Sequence, residues 1–378
     1  MKRVLSLLAI VSLMITACGQ LGGAGGGSGD IYFGVGGPFT GDNAEYGKTW
    51  KKAIDMAVDE INSGGGVKGR KLQIDYEDTQ SDPKQSVPIA QKFVEDKKIV
   101  AEIGDFASPA SMAASPIYQR GGLVQYAFTS SHPDFTKGGD YMFSTAVSQA
   151  DDAPYLATFA VKEKGYKKLA VLTLNTDWGK TTADLFEARA KELGAQIVYH
   201  EAFLPTEQDF RPIIGKIRDS NPDAIIFEGY FNEGSRFVTQ AKQQQLPQPI
   251  FANGASYSPE FIKLGGAAAE GTYLTASFFP DAPRPATQKF VQAYRAKYNE
   301  DPNWFAADAY DTIYILKTVI EKAGTDRKAI RDGLANLKDY DSVVYGKIGF
   351  NDQRRFTVTE LYKIMVKGGK FVVWQPGM

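Results

Sequence analysis

Two stretches set hydroxyl groups where the chain leaves a β-strand. Ile103-Gly-Asp-Phe-Ala-Ser-Pro-Ala-Ser111 ends a strand, turns, and places Ser108 directly before a proline that can open a helix. Phe128-Thr-Ser-Ser-His-Pro133 ends the following strand with three hydroxyls in a row. A hydroxyl beside the unpaired backbone N–H groups of a helix start is a ready anion site. Two neighbouring strand ends of this kind could clasp one carboxylate without an arginine. Taken alone, both stretches also read as simple helix caps. Phe106, Trp178, Tyr230, Tyr257 and Phe279 fall at predicted strand ends or turns. Each singly fits core packing, and together they suggest an apolar pocket.

Other chemistries find little support. The chain has 2 histidines, His132 and His200, and 1 cysteine, Cys18, too few nitrogen and sulfur ligands for a structural zinc site. A G-x-S-x-G elbow and a G-x-x-x-x-G-K-[ST] loop are both absent. Gly34-Val-Gly-Gly-Pro-Phe-Thr-Gly41 follows a strand, but Pro38 and the polar continuation favour a glycine-rich turn lining a cleft over a dinucleotide loop. The 44 carboxylates show no spacing that marks a catalytic pair. The expectation is a binding protein, not an enzyme, with no cofactor and no metal. With 43 Lys and Arg against those 44 acids, the net charge of −1 argues against a nucleic-acid partner.

The elements that must position these residues alternate regularly. Strands are predicted at 30–35, 72–76, 99–104 and 123–128, and again at 168–174, 195–203, 223–229 and 249–252. Helices fall between them, including 48–62, a helix opened by Asp82-Pro83, and 233–244. Strand–helix alternation means parallel sheets, because parallel neighbours need a crossover. Two such series in 378 residues indicate two doubly wound α/β lobes, with binding sites at the carboxyl ends of the strands. Beyond about residue 284 come longer helices, 287–299, 305–324 and 326–337. No segment after the amino-terminal run is apolar for long enough to span a bilayer.

The amino terminus carries a different signal. Met1-Lys-Arg3 precedes an apolar run from Val4 to Met14, too short to span a membrane stably, which reads as an export signal over residues 1–17. Ile15-Thr-Ala-Cys18 resembles a bacterial lipobox, which implies cleavage before Cys18, lipidation of its sulfur, and a protein anchored on the outer side of a membrane. Residues 18–29, glycine-rich from Gly22, would then act as a flexible tether.

Longer runs carry a family resemblance. They include Gly37–Gly47 ("GPFTGDNAEYG"), Ala57–Gly69 ("AVDEINSGGGVKG"), Leu72–Gln85 ("LQIDYEDTQSDPKQ"), Gly104–Ser115 and Thr173–Gly179 ("TLNTDWG"), and continue through Asp209–Ile217 and Glu270-Gly271 to Asp308–Asp311. On these the chain resembles the periplasmic Leu/Ile/Val-binding proteins, type I solute-binding components of ABC importers. The resemblance implies two lobes joined by three crossings near residues 147, 276 and 355. Lobe I would comprise 30–147 with 277–355, and lobe II 148–276 with 356–378. A small-molecule ligand would sit in the cleft, a membrane permease would be the partner, and the protein would act as a monomer.

By the same resemblance, Ser108, the hydroxyl of Ser131 and the backbone at Thr129 would hold a ligand carboxylate. Tyr46, Trp178 and Tyr230 would surround the ligand, Trp178 standing where a tyrosine is usual. Amino-acid binders of the family pair the ligand's ammonium with a glutamate on lobe II, but that position falls at about Ala255 here. Either another carboxylate substitutes, with Asp105 and Glu228 as candidates, or the ligand lacks an amine. A branched-chain or other hydrophobic amino acid, an amine-less aromatic or aliphatic carboxylate, and a sensor role all stay open.

Overall fold

The computed structural model describes residues 29–356 and 360–378. The export signal, Cys18 and most of the glycine tether therefore lie outside the described residues. Strands β1 (Ile31–Gly37), β2 (Leu72–Asp78), β3 (Ile99–Gly104), β4 (Val124–Ala127) and β5 (Met142–Ser144) form a parallel sheet in the order β2-β1-β3-β4-β5. Helices α1 (Ala44–Ser63), α2 (Pro83–Glu95) and α3 (Ser108–Gly121) make the crossovers. The Asp82 carboxylate caps α2, accepting from Lys84 N at 2.9 Å with Pro83 in the first turn, as the sequence implies.

After α4 (Gln149–Thr158), the rhythm repeats with β6 (Lys168–Leu174), α5 (Asp177–Glu192), β7 (Gln196–Phe203), α6 (Arg211–Asp219), β8 (Ala224–Glu228), α7 (Phe231–Gln243), β9 (Ile250–Ala252), α8 (Pro259–Gly265) and β10 (Tyr273–Ala276). The parallel order β7-β6-β8-β9-β10 repeats that of the first sheet. In β6 every residue after Lys168 is buried, as expected of a strand covered on both faces. Phe227 on β8 stacks between Phe203 and Phe237, each at 5.3 Å, in the core of this lobe.

The chain then returns. Helices α9 (Pro285–Tyr298), α10 (Trp304–Ala323) and α11 (Arg327–Ala335) follow, α10 packing on α1 and α11 against β3 and β4. A short hairpin, β11 (Tyr340–Ser342) with β12 (Gly346–Ile348), precedes the last passage to the second sheet. There β13 (Tyr362–Lys367) and β14 (Lys370–Val373) add an antiparallel edge that strand–helix alternation did not foretell. Their turn is Gly368-Gly369 at φ +61° and +69°, the left-handed pair a two-residue hairpin loop requires.

One loop differs from its sequence reading. Gly34, Gly36 and Gly37 belong to β1, not to a cleft-lining turn. A Cβ at Gly34 would lie 2.9 Å from the Phe93 ring and one at Gly37 2.9 Å from Trp50, so these glycines let aromatic side chains of α2 and α1 pack on the strand.

Candidate ligand cleft between the two lobes

A strand order of 2-1-3-4-5 reverses direction beside its first strand, and ligands bind outside the carboxyl ends of the strands at that switch point. In the first lobe the switch lies between β1 and β3, which leads into Phe106 and Ser108. In the second it lies between β6, which leads to Trp178, and β8, which leads to Tyr230. The two switch points face each other across a cavity of about 70 Å³. Phe106, Ser108, Thr129 and Ser131 line it from one side, and Trp178, Tyr230 and Ala255 from the other.

The hydroxyls are not equivalent. Ser108 is the first residue of α3 and not its cap, contrary to the sequence reading; its Oγ accepts from His132 N at 3.2 Å. Ser131 Oγ accepts from Trp178 Nε1 at 2.8 Å. A hydroxyl used as an acceptor keeps its own hydrogen, so both serines retain a donor for an anion. Thr129 Oγ1 instead donates to the carbonyls of Asp105 at 3.1 Å and Phe106 at 3.3 Å, which leaves its backbone as the group it can offer.

Loop 129–133 is held from two directions. Arg355, buried and arriving from the last passage between the sheets, donates to Ser144 Oγ at 3.3 Å and to the His132 carbonyl at 2.5 Å. Burial pulls its pKa down to about 10, with Asp151 and Asp134 opposing that pull. From the second lobe, the first turn of α5 brings Trp178 to Ser131, and Thr181 Oγ1 (3.0 Å) and Asp177 Oδ2 (3.4 Å) to His132 Nε2. That turn is fixed by Gly179, where a Cβ would sit 1.9 Å from the Leu174 carbonyl oxygen.

The aromatic wall is continuous. Phe106 meets Tyr230 edge-on at 5.1 Å, Tyr230 lies 5.4 Å from Trp178, and Trp304 and Phe305 of α10 close the far side. Tyr46 stands behind Phe106, stacked at 4.0 Å, and does not line the cavity. It ties the lobes instead: its hydroxyl donates to the Ala255 carbonyl at 2.8 Å and accepts from Phe231 N at 3.3 Å. Trp304 Nε1 adds a bond to the Gly254 carbonyl at 3.1 Å.

Several expected residues lie elsewhere. Phe279 is half-buried against Tyr362, and Tyr257 packs on Phe371, both away from the cavity. Asp105 turns back into its own lobe, accepting from Ser86 Oγ at 2.6 Å and Phe106 N at 2.5 Å, and burial raises its pKa to about 6. Glu228 is fully buried behind Asn253, whose Nδ2 donates to it at 2.7 Å, and burial raises its pKa to about 8. Neither acid lines the cavity. The carboxylate that does is Asp152, in the first turn of α4, with Gln149 and Thr182 beside it. Sequence reading missed all three because it searched strand ends.

Among the described residues no cluster of His, Cys, Asp and Glu could hold a metal ion, and no helix is long and apolar enough to cross a membrane. Two lobes of matching topology with a small cavity at their facing switch points define a two-lobed solute-binding protein of the type I class. The chain belongs to the periplasmic binding protein family, whose model matches residues 30–370. It is 29% identical to Leu/Ile/Val-binding protein homolog 3 of Brucella melitensis over 353 residues, 91% of this chain and 94% of that one. A leucine-binding protein of Thermotoga maritima superposes with a TM-score of 0.86 at 27% identity, covering 91% of this chain and 98% of that one. A branched-chain amino acid transporter substrate-binding protein of Streptococcus pneumoniae, solved with isoleucine, gives 0.85 at 28% identity, covering 90% and 97%.

Proposed function

We propose that this chain is the substrate-binding component of an ABC importer, exported, lipid-anchored through Cys18, and closing its two lobes over a small hydrophobic amino acid that it delivers to a membrane permease. The observation that carries this reading is the pairing of two serines with spare donor hydrogens against an aromatic wall. Charge-assisted hydrogen bonds of about 1.5–3 kcal/mol each would hold the carboxylate. Burial of an aliphatic side chain against Phe106, Trp178 and Tyr230 would add about 1.5–3 kcal/mol. The relatives named for leucine, isoleucine and valine support the ligand class.

Thermal unfolding with a panel of amino acids and amine-less carboxylates tests the ligand. Leucine, isoleucine or valine should raise the midpoint, and ligand recovered after denaturation should be chemically unchanged. A panel that leaves the midpoint unmoved would count against the reading. Anchoring has its own test: labelled fatty acid should be incorporated by the parent and not by Cys18→Ala. The aromatic wall keeps a second reading in view, an aromatic carboxylate without an amine.

A further inference from the structure

The anion cradle accounts for one end of an amino acid; the other end is an ammonium, and a buried ammonium needs acceptors. Asp152 lines the cavity and accepts from Thr275 Oγ1 at 2.6 Å and from the Gly254 backbone N–H. No lysine, arginine or histidine among the described residues pairs with it. Gln149 lies three residues earlier, on the same face of α4, lines the same cavity, and is 3% exposed. Its Nε2 donates to the Trp178 carbonyl at 2.6 Å and to the Thr182 hydroxyl. A carbonyl only accepts, so the amide nitrogen must occupy that side. Oε1 is then left buried with no partner. Finally, Gln149 N donates to the Ser131 carbonyl at 3.0 Å, which sets the first turn of α4 directly beside the anion cradle. A carboxylate and an ammonium carried on one carbon require that adjacency.

We infer that Gln149 Oε1 and Asp152 together receive the α-ammonium group of the ligand, so that the cleft selects α-amino acids over carboxylates of the same shape that lack the amine. This rests on the amino-acid reading above and places the counter-charge on the first turn of α4, not at Ala255 and not on Asp105 or Glu228. The positive end of α4 opposes a bound cation, and the acids Asp151 and Asp152 in its first turn offset that field. Burial holds the Asp152 carboxyl above its ordinary range, with Thr275 and Gly254 pulling it back; an ammonium alongside would favour its charged form.

Titration calorimetry on the detergent-solubilised full-length protein, with leucine and with 4-methylpentanoate as its amine-less counterpart, separates the outcomes. The parent should prefer leucine by about a hundredfold or more. Asp152→Asn, of nearly the same shape, should lose about a hundredfold for leucine and gain affinity for 4-methylpentanoate, since an unpaired charge no longer faces the apolar ligand. That gain cannot come from a misfolded protein. Glu228→Gln should change leucine affinity by no more than about threefold. If Asp152→Asn binds leucine as the parent does, or Glu228→Gln carries the loss instead, this assignment falls while the amino-acid reading stands. If the parent prefers 4-methylpentanoate, or binds neither compound nor any other amino acid, the amino-acid reading itself falls and this inference with it.

Discussion

Both lobes break their strand order at the same place, β1 to β3 in the first and β6 to β8 in the second, yet the side chains set at the two breaks differ in kind. The first lobe offers hydroxyls whose hydrogens are unspent, Ser108 and Ser131. The second offers acceptors, Asp152 and Gln149, and the indole and phenol of Trp178 and Tyr230. One topology therefore does not fix one chemistry. What it fixes is that two sets of strand ends face each other, so a ligand with unlike ends would be read from both sides at once. Neither half alone lines the whole cavity.

That division can be broken most severely on the donor side. Ser108→Ala removes a hydroxyl donor while the fold keeps its helix, because Ser108 does not cap α3. Affinity for the carboxylate should fall about 10- to 150-fold, the worth of one hydrogen bond to a charged group, while the unfolding midpoint of the ligand-free protein drops modestly, because the buried His132 N–H loses its acceptor. Calorimetry that finds parent affinity in this variant would remove Ser108 from the site. Ser131→Ala should cost a similar factor and also free the Trp178 indole, so its ligand-induced tryptophan fluorescence change should differ from the parent's.

A smaller effect is expected where the lobes meet without touching the ligand. Tyr46→Phe keeps the stack on Phe106 and deletes the hydroxyl that bridges Ala255 and Phe231. The loss should be about 0.5–1.5 kcal/mol per bond, up to about tenfold in affinity for a single bond, and it should show in dissociation far more than in association. A change confined to the association rate would mean that these bonds are absent from the closed complex.

Much of this was readable from residue order, and the exceptions share a cause. Long crossover helices and fully buried strands announce themselves by period, so α1, α2, β3 and β6 fall within a few residues of their expected bounds. Strands β5 and β10, of three and four residues, carry too few side chains to show one, whereas the equally short β4 and β9 fall inside the expected strands at 123–128 and 249–252. The hairpin β13–β14 did carry a signal, Lys367-Gly-Gly-Lys370 between alternating apolar residues, which alternation of strand and helix gave no reason to seek. At the site, Ser108, Ser131, Trp178 and Tyr230 line the cavity because strand ends converge there. Asp152 escaped because it lies in the first turn of a helix and not at a strand end, where the search was made. Only the fold reveals that this turn lies beside Ser131. Asp105 and Glu228 do end strands, but their carboxyls bend back to Ser86 and Asn253.

The smallest effect concerns His132, which belongs to the donor loop but reaches across to α5. Its Nδ1 accepts from Asp134 N at 3.1 Å, so the neutral ring carries its hydrogen on Nε2, facing Thr181 and Asp177. Burial lowers its pKa from the ordinary value; Asp177 and Asp134 oppose that shift, and Arg355 and Lys137 reinforce it. A group whose pKa is depressed in the folded molecule adds stability above its ordinary pKa of about 6.5 and loses it as pH falls through the depressed value. Protonation would also put a second N–H against the Asp134 amide. Ligand affinity should therefore weaken by a few-fold between pH 7.5 and pH 5, and His132→Asn should flatten that slope while leaving the neutral-pH affinity within about threefold. A slope of the opposite sign would mean that Asp177 outweighs burial and that the bridge is an ion pair. The two lobes would then meet through charge on both sides, and the division between donors and acceptors would hold only within the cavity.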